Sequence, residues 1–475
     1  MTNQFHDILP GSAISEVYED AEQDYQRLAA IGEQVLDRAT SALASGLDLH
    51  SEALVVFNPG PYPSADYVEL PSATIERLPL PSQTSADGGQ LVWCEGVPAN
   101  GYRAFPLDSV APAPIANALR VSTRELETPF WDIEIDDRGR ISRLYDKKLG
   151  SEVLPAGELA NRLVVFEDKP LNFDAWDIDA YFYAKSRDVD RLEAAEVRES
   201  GPERAVLQLT WRIGEQSVIV QRMCVYARLP RIDFQNQVEW NERQSLLKVA
   251  FPTAIRSRRA TYEIQFGTIE RPTHRNTSWE EAAFEVPAQR WADLSDAYYG
   301  VAVLADCKHG YSVHNRTLWL SLLKGAIDPD PDADRGQHSF IYSLFPHAAG
   351  LDGVRRAAYS LTRPMLWRRE AAHRGSLPLQ FSAAHLTNPG VLVETIKWAE
   401  DEDAMIVRLY EADGGAGPAT LVLGTPTQAV DEVDLLERNP QPVSVDGDGR
   451  AALNFRAREV KTVRITPSPS GRGQG

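Results

Sequence analysis

Cysteine is scarce in this chain: Cys94, Cys224 and Cys307 are the only three in 475 residues, odd in number and far apart. A disulfide framework or a thiolate zinc cluster needs more of them in closer pairs, so the expectation is three buried free thiols in a reducing compartment, with the cytoplasm as default. Basic blocks are missing too. Lys and Arg number 49 against 68 Asp and Glu, a net charge of −19. Such a surface repels phosphates, which argues against nucleic acid and against anionic membranes as partners. No apolar run approaches the ~20 residues of a membrane helix. Residues 1–7 have neither the basic n-region nor the apolar h-region of a signal peptide. G-x-S-x-G, P-loop, H-E-x-x-H and G-x-G-x-x-G signatures do not occur.

What is present is an ordinary globular balance, 43% hydrophobic and 25% charged, long enough for about three domains at ~150 residues each. The first fifty residues repeat apolar side chains at steps of three and four, from Ile14 and Val17 through Leu28, Ile31 and Val35 to Leu43. That is the stripe of an amphipathic helix, with Ser12 as its expected N-cap and Gly46 as its stop. A helix so long should pack against others, and no second strong helical pattern follows. After Leu54 the period changes to two. Trp131–Ile135 alternates, turns at residues 136–139 and returns, a hairpin by spacing. Further strands are expected at 205–211, 217–226, 232–240, 246–251, 262–266, 300–305, 317–323 and 339–344, then at 392–398, 405–410, 420–423, 433–436 and 460–465. Many short strands without βαβ alternation indicate a mainly β protein of stacked β-sandwiches behind a helical segment. The expected division is 1–50 helical, 51–115 a small sandwich, 116–365 a large one, 366–466 a C-terminal β domain, and 467–475 a disordered tail. The Ala/Pro-rich stretch 110–115 and Met365 mark the boundaries.

Three segments could carry chemistry. Residues 3–12 set His6 and Asp7 just before the helix; imidazole can ligate a divalent metal and a carboxylate can fix a hydroxyl. A structural hydrogen-bonded pair is the plainer reading, because a catalytic zinc takes about three protein ligands and none is nearby in sequence. Residues 172–181 interleave Asp174, Asp177 and Asp179 with Phe173, Trp176 and Tyr181. Sugar sites use aromatic faces and carboxylates in this way, and an acidic strand connection would look the same. Residues 267–277 bring Arg271, His274 and Arg275 after a strand, either as donors to ligand oxygens or as a charged surface loop. Asp328, Asp330, Asp332 and Asp334 imitate half a calcium loop. Ala333 stands where glycine is needed and Ser339 where glutamate is, so an EF-hand is rejected. The tetrad Glu400, Asp401, Glu402 and Asp403 reads as a solvated turn.

Taken together, residues 3–12, Asn58-Pro59, 173–181 and 265–279 (Gln-Phe-Gly-Thr-Ile-Glu-Arg-Pro-Thr-His-Arg-Asn-Thr-Ser-Trp) resemble the α-mannosidases of glycoside hydrolase family 38, in the branch containing the cytosolic enzymes. Tyr311, residues 328–334 and residues 337–347 continue the likeness to about residue 466. The resemblance implies a large enzyme with an N-terminal α/β barrel, a helical bundle, and stacked β domains whose central member is a galactose-mutarotase-like super-sandwich. This sequence matches the last two parts. The resemblance implies His6 as a ligand of a catalytic Zn2+ (or another divalent metal such as Co2+) and Asp7 as an acceptor for a mannose hydroxyl. Trp176, Asp177 and Arg271 resemble β-region positions that approach the sugar. The nucleophile and the other metal ligands belong to the barrel, so the expectation is the C-terminal part of a retaining α-mannosidase, inactive alone, with no catalytic residue of its own. Its implied partners are α-mannoside oligosaccharides, the barrel half, and further copies of itself. The competing expectation is a non-catalytic carbohydrate-binding or assembly subunit that completes a separate barrel chain.

Overall fold

The computed structural model describes residues 2–71, 79–108 and 118–468. The boundary expected at 110–115 and all but the first two residues of the expected tail lie outside the described residues. One helix, Ser15–Ser45, opens the fold and ends at Gly46, whose N–H bonds the Leu43 carbonyl at 3.2 Å. Its N-cap is Ile14 rather than the expected Ser12. Ser12 is buried instead and donates to the Asp7 carbonyl at 3.3 Å, closing the turn ahead of the helix. The helix buries only Ala21 and Ala44, while Tyr25, Leu28, Ile31, Val35 and Leu36 stay half or more exposed. Its C-terminal end is anchored, by Ala44 in an apolar cluster with Leu47, Val55 and Phe57, and by Arg368 Nη1 on Asp37 Oδ1 at 2.7 Å.

That cluster sits on a four-stranded sheet ordered Leu366–Glu370, Ala53–Asn58, Gly101–Pro106, Gln380–Ser382. Ala53–Asn58 is buried along its whole length. Leu54 and Val56 face a second sheet of Ser64–Leu70, Gln90–Val97 and Ser82–Thr84, while Ala53, Val55 and Phe57 face the helix end. Two apolar faces require an unbroken hydrophobic run, which is why this strand does not alternate. The outer strands Leu366–Glu370 and Gln380–Ser382 correct the boundary expected at Met365: residues 366–382 complete the first sandwich, and the C-terminal unit begins after them.

Residues 120–348 build the large sandwich from antiparallel sheets of nine, six and five strands around one continuous core. Ser217–Tyr226 and Ile232–Trp240 are the third and fourth strands of the nine-stranded sheet, with the ends expected from their alternation. The expected strand at 262–266 stops earlier, at Ile264, because Gln265 and Phe266 form the tip of a hairpin with Gly267–Pro272. A further helix, Asp352–Thr362, packs Val354 and Ala358 onto Trp291, Leu304 and Phe345 of the large sheet, an element the periodicity did not single out.

The C-terminal unit packs a five-stranded sheet containing Val391–Trp398, Met405–Glu411 and Val460–Pro467 on a three-stranded one containing Gly417–Leu423 and Arg450–Phe455. The strand expected at 433–436 is Thr427–Val433, and Leu435 and Leu436 are exposed in the turn after it. Tyr62, Tyr359, Leu392 and Tyr410 form the apolar contact where the three units meet. The expected mainly β fold is the one observed. Among the described residues no helix is long and apolar enough to cross a membrane. Cys94 and Cys224 are buried free thiols as expected, but Cys307 is exposed, being past the end of the strand Tyr299–Ala305.

Candidate functional site

Residues 5–11 coil into a tight turn through bonds from the Ile8 and Leu9 amides to the Phe5 carbonyl, both 3.0 Å, and Gly11 takes the left-handed φ of +81° that releases the chain into the helix. Tyr18, one turn into the helix, reaches back over this coil. Its hydroxyl accepts from the Ala13 amide at 2.8 Å and faces the Asp7 and Ile8 carbonyls at 3.5 and 3.4 Å. Burial raises the Tyr18 phenol above its ordinary pKa, and the carboxylates of Asp334, Asp330 and Asp7 add to the rise. His6 and Asp7 therefore stand on a braced turn with their polar ends outward: His6 Nε2 is 3.6 Å from Asp7 Oδ2, and the side chains are 79% and 48% exposed.

Residues 168–184 form the second part. The Trp176 and Asp177 amides both bond the Phe173 carbonyl at 2.9 Å, and Phe173 adopts a φ of +57° to allow it. This turn projects Phe173, Trp176, Tyr181 and Tyr183, each at least half exposed. Beneath it Lys324 pairs with the buried Asp168 and donates to the Asp177 carbonyl at 3.0 Å. Burial raises the Asp168 carboxyl above its usual range despite Lys324. Asp179 accepts from the Leu171 amide at 2.9 Å and from the Tyr181 hydroxyl.

The loop 325–335 ties the two parts together. Asp330, buried, accepts from Ser15 Oγ at 2.6 Å and so fixes the start of the helix. A few residues earlier, the Ile327 amide donates to Asp174 Oδ2 at 2.6 Å, and the Asp328 carbonyl accepts from Ala175 at 3.2 Å. Asp332 holds Arg243 and Arg335 at 2.6 Å each. One loop thus touches the start of the helix that follows the His6 turn on one side and the turn carrying Trp176 and Asp177 on the other. The aspartates that imitate a calcium loop serve as acceptors within the protein, and sequence spacing gave no sign of this role.

A buried polar group underlies the aromatic turn. Lys248, 1% exposed, pairs with Glu285, lies 3.4 Å from Ser312 Oγ, and sits 5.5 Å from the centre of the Phe182 ring. Ser321 donates to the same Glu285. Phe182 also packs on Phe166 and Phe284, at 5.1 and 5.7 Å, and Arg275 covers Tyr183 at 5.9 Å. Arg271 is engaged elsewhere: its guanidinium lies 4.7 Å over the Tyr262 ring and donates to the Pro287 carbonyl at 3.2 Å. Nothing in these contacts joins it to Asp7, Trp176 or Asp177. His274 bonds Glu280 at 3.2 Å within a capping box.

This surface can stack a sugar ring and accept hydrogen bonds from its hydroxyls. It does not by itself make a metal centre, since among the described residues no three His, Cys, Asp or Glu side chains converge to hold an ion. A catalytic zinc takes about three protein ligands, and here one imidazole with one neighbouring carboxylate is offered.

Comparison with known proteins adds the following. Residues 126–332 match the glycosyl hydrolases family 38 C-terminal domain, 390–463 the C-terminal beta sandwich domain of the same family, and 1–43 the alpha mannosidase middle domain. The chain is 35% identical over 485 residues to alpha-mannosidase 2C1 of Homo sapiens, covering 99% of itself and 45% of that protein. It is 32% identical to alpha-mannosidase G of Dictyostelium discoideum and 29% to an alpha-mannosidase of Saccharomyces cerevisiae, covering 47% and 39% of them. The chain thus spans about half the length of these relatives or less. Its fold is shared with the crystal structure of an alpha-mannosidase from Enterococcus faecalis, at a TM-score of 0.78 and 16% identity, over 98% of this chain and 62% of that one.

Proposed function

Since this chain is built from the middle and C-terminal domains of glycosyl hydrolase family 38, we propose that it forms the β-rich part of a metal-dependent, retaining α-mannosidase acting on terminal α-D-mannose of oligosaccharides. The observation that supports the reading is the loop 325–335, which bonds both the start of the helix behind the His6 turn and the turn that carries Trp176. In this reading His6 is one ligand of a Zn2+ or Co2+ ion and Asp7 accepts a bond from a mannose hydroxyl. Trp176 and Asp177 line the approach to the ring. Arg271 acts there only if its hold on Tyr262 and Pro287 is released. Retaining hydrolysis needs a carboxylate nucleophile and an acid that protonates the leaving oxygen, and no residue of this chain is assigned either task. Both come from an α/β barrel, in the same polypeptide or a separate one, as do the remaining metal ligands. The unpaired thiols accord with a reducing, cytoplasmic setting.

The test is hydrolysis of an aryl α-mannoside with zinc or cobalt, by these 475 residues alone and joined to the barrel of a family relative. The expected result is no turnover alone, turnover once joined, and its loss in His6→Ala. Turnover by the chain alone would refute the absence of a nucleophile. A joined protein that binds mannosides without cleaving any would favour a non-catalytic carbohydrate-binding subunit.

A further inference from the structure

Where the large sandwich meets the C-terminal unit, a cleft of 360 Å³ opens beside Tyr410. We propose that this cleft is a saccharide-binding site, taking one or two neutral pyranose rings of a glycan. It stands apart from the surface built on loop 325–335 and draws on six separate segments of the chain.

The first observation is Phe266. It sits at the tip of the hairpin between Ile264 and Gly267 with a φ of +58°. An aromatic residue in the left-handed region costs roughly 1–2 kcal/mol, and such strain collects at ligand clamps. Glycine or asparagine would serve a mere turn better. The ring is 42% exposed and meets Tyr410 edge-on at 5.8 Å and 82°, which leaves an aromatic face at the mouth of the cleft. The hairpin is pinned from the C-terminal unit, where Arg458 Nη1 donates to the Thr268 carbonyl at 2.8 Å and to its hydroxyl at 3.0 Å.

The second observation is the polarity of the walls. His309 Nδ1 faces the Ala288 and Gln289 carbonyls at 3.2 and 3.1 Å, so this nitrogen carries the proton and Nε2 is left as an acceptor. Gln265, Gln289 and Asp306 add planar donors and acceptors along the same wall. Aromatic face and planar polar groups together suit the apolar side and the hydroxyls of a sugar ring.

Charge separates a sugar from an anion. Both arginines of the cleft are already neutralised: Arg290 is gripped by Glu263 at 2.7 and 2.9 Å, and Arg363 by Glu394 at 2.8 Å. Glu394 also accepts from Tyr359 at 2.9 Å. With Asp306 added, the cleft offers no net positive charge to a phosphate or sulfate. Its volume is at the lower end of the ~300–1,000 Å³ usual for ligand pockets, enough for a mono- or disaccharide.

The test is titration of the full chain with methyl α-D-mannopyranoside and with α-1,2-mannobiose, followed by calorimetry and by the methyl signal of Ile264, which lines the cleft. Saturable, millimolar binding that shifts this methyl is expected. Phe266→Gly removes the ring and relieves the backbone, so it should keep or raise the unfolding temperature while weakening binding roughly tenfold or more. Gln289→Ala should weaken binding as well, and Trp176→Ala should leave the Ile264 shift unchanged. The proposal is overturned if neither saccharide shifts Ile264, if binding survives both cleft variants, if Trp176→Ala abolishes the shift, or if inorganic phosphate competes for the site.

Discussion

Lys248 is the most demanding test of how the large sandwich supports the aromatic turn. Its ammonium is 1% exposed and is answered by Glu285, 15% exposed, with Phe182 above it. Lys248→Met fills the space of the stem but leaves Glu285 with the Ser321 hydroxyl as its remaining donor. Removing one partner of a buried pair costs ~3–5 kcal/mol, because the other charge stays buried without compensation. Since Glu285 retains some solvent contact, the lower end, ~3 kcal/mol, is expected. With a urea m-value of ~3 kcal/mol/M this lowers the midpoint by ~1 M. The double variant Lys248→Met with Glu285→Leu removes both charges and should return to within ~1 kcal/mol of the parent. Unfolding in urea followed by tryptophan emission measures the stability. Amide exchange across residues 178–184 measures whether Phe182 and its turn loosen in the single variant. Equal losses in the single and double variants, or a loss below ~1 kcal/mol for Lys248→Met, would refute the argument, since packing and not charge would then govern the site.

Two further outcomes follow from the same structure. Asp66 is largely buried beside Arg231, accepts from Ser360 and from its neighbouring amide, and burial pushes its carboxyl up to about 6 from 3.8. A raised folded-state value contributes stability below about pH 4 that is lost as pH climbs through about 6, amounting to ~3 kcal/mol. Asp66→Asn should therefore gain on the parent by about that amount between pH 4 and pH 7 in urea unfolding, and a pH-independent difference would contradict the assignment. On the first helix, replacing Leu28, Ile31 and Val35 with serine should change the stability of the sandwiches by no more than ~0.5 kcal/mol per site, because all three are more than half exposed. The same variant should bind less of an apolar dye; a loss of several kcal/mol would mean that the stripe is used within this chain.

The sequence was most legible where pattern and partner are local. Ser217–Tyr226 and Ile232–Trp240 alternate, pair with each other, and fall where the alternation puts them. Leu435 and Leu436 misled because two leucines extend an apolar run into a turn, where Asp434 accepts from the Leu436 and Arg438 amides. The return of residues 366–382 to the first sheet was not legible, since Val55 opposite Arg368 is a pairing across more than 300 residues that no periodicity encodes. Within the candidate site, His6, Asp7, Trp176 and Asp177 could be singled out from residue type, their roles being what the family resemblance implies. The loop that unites them could not, because Asp330 and Asp174 act through single bonds to Ser15 and a backbone amide. Arg271 illustrates the converse: a promising donor by composition that the fold spends on Tyr262.

The pairing of Ala53–Asn58 with Leu366–Glu370 also dictates an order of events on the ribosome. This four-stranded sheet cannot gain its two outer strands until residue 382 has emerged, although its central strands are complete at Pro106. At ~5–20 residues per second the wait is on the order of tens of seconds. During it the apolar run Leu54-Val55-Val56-Phe57 has an open edge, and the large sandwich has time to fold as a unit of its own. The small sandwich therefore closes only after the large one has been made, and nascent chains halted before residue 366 should be the ones that chaperones hold.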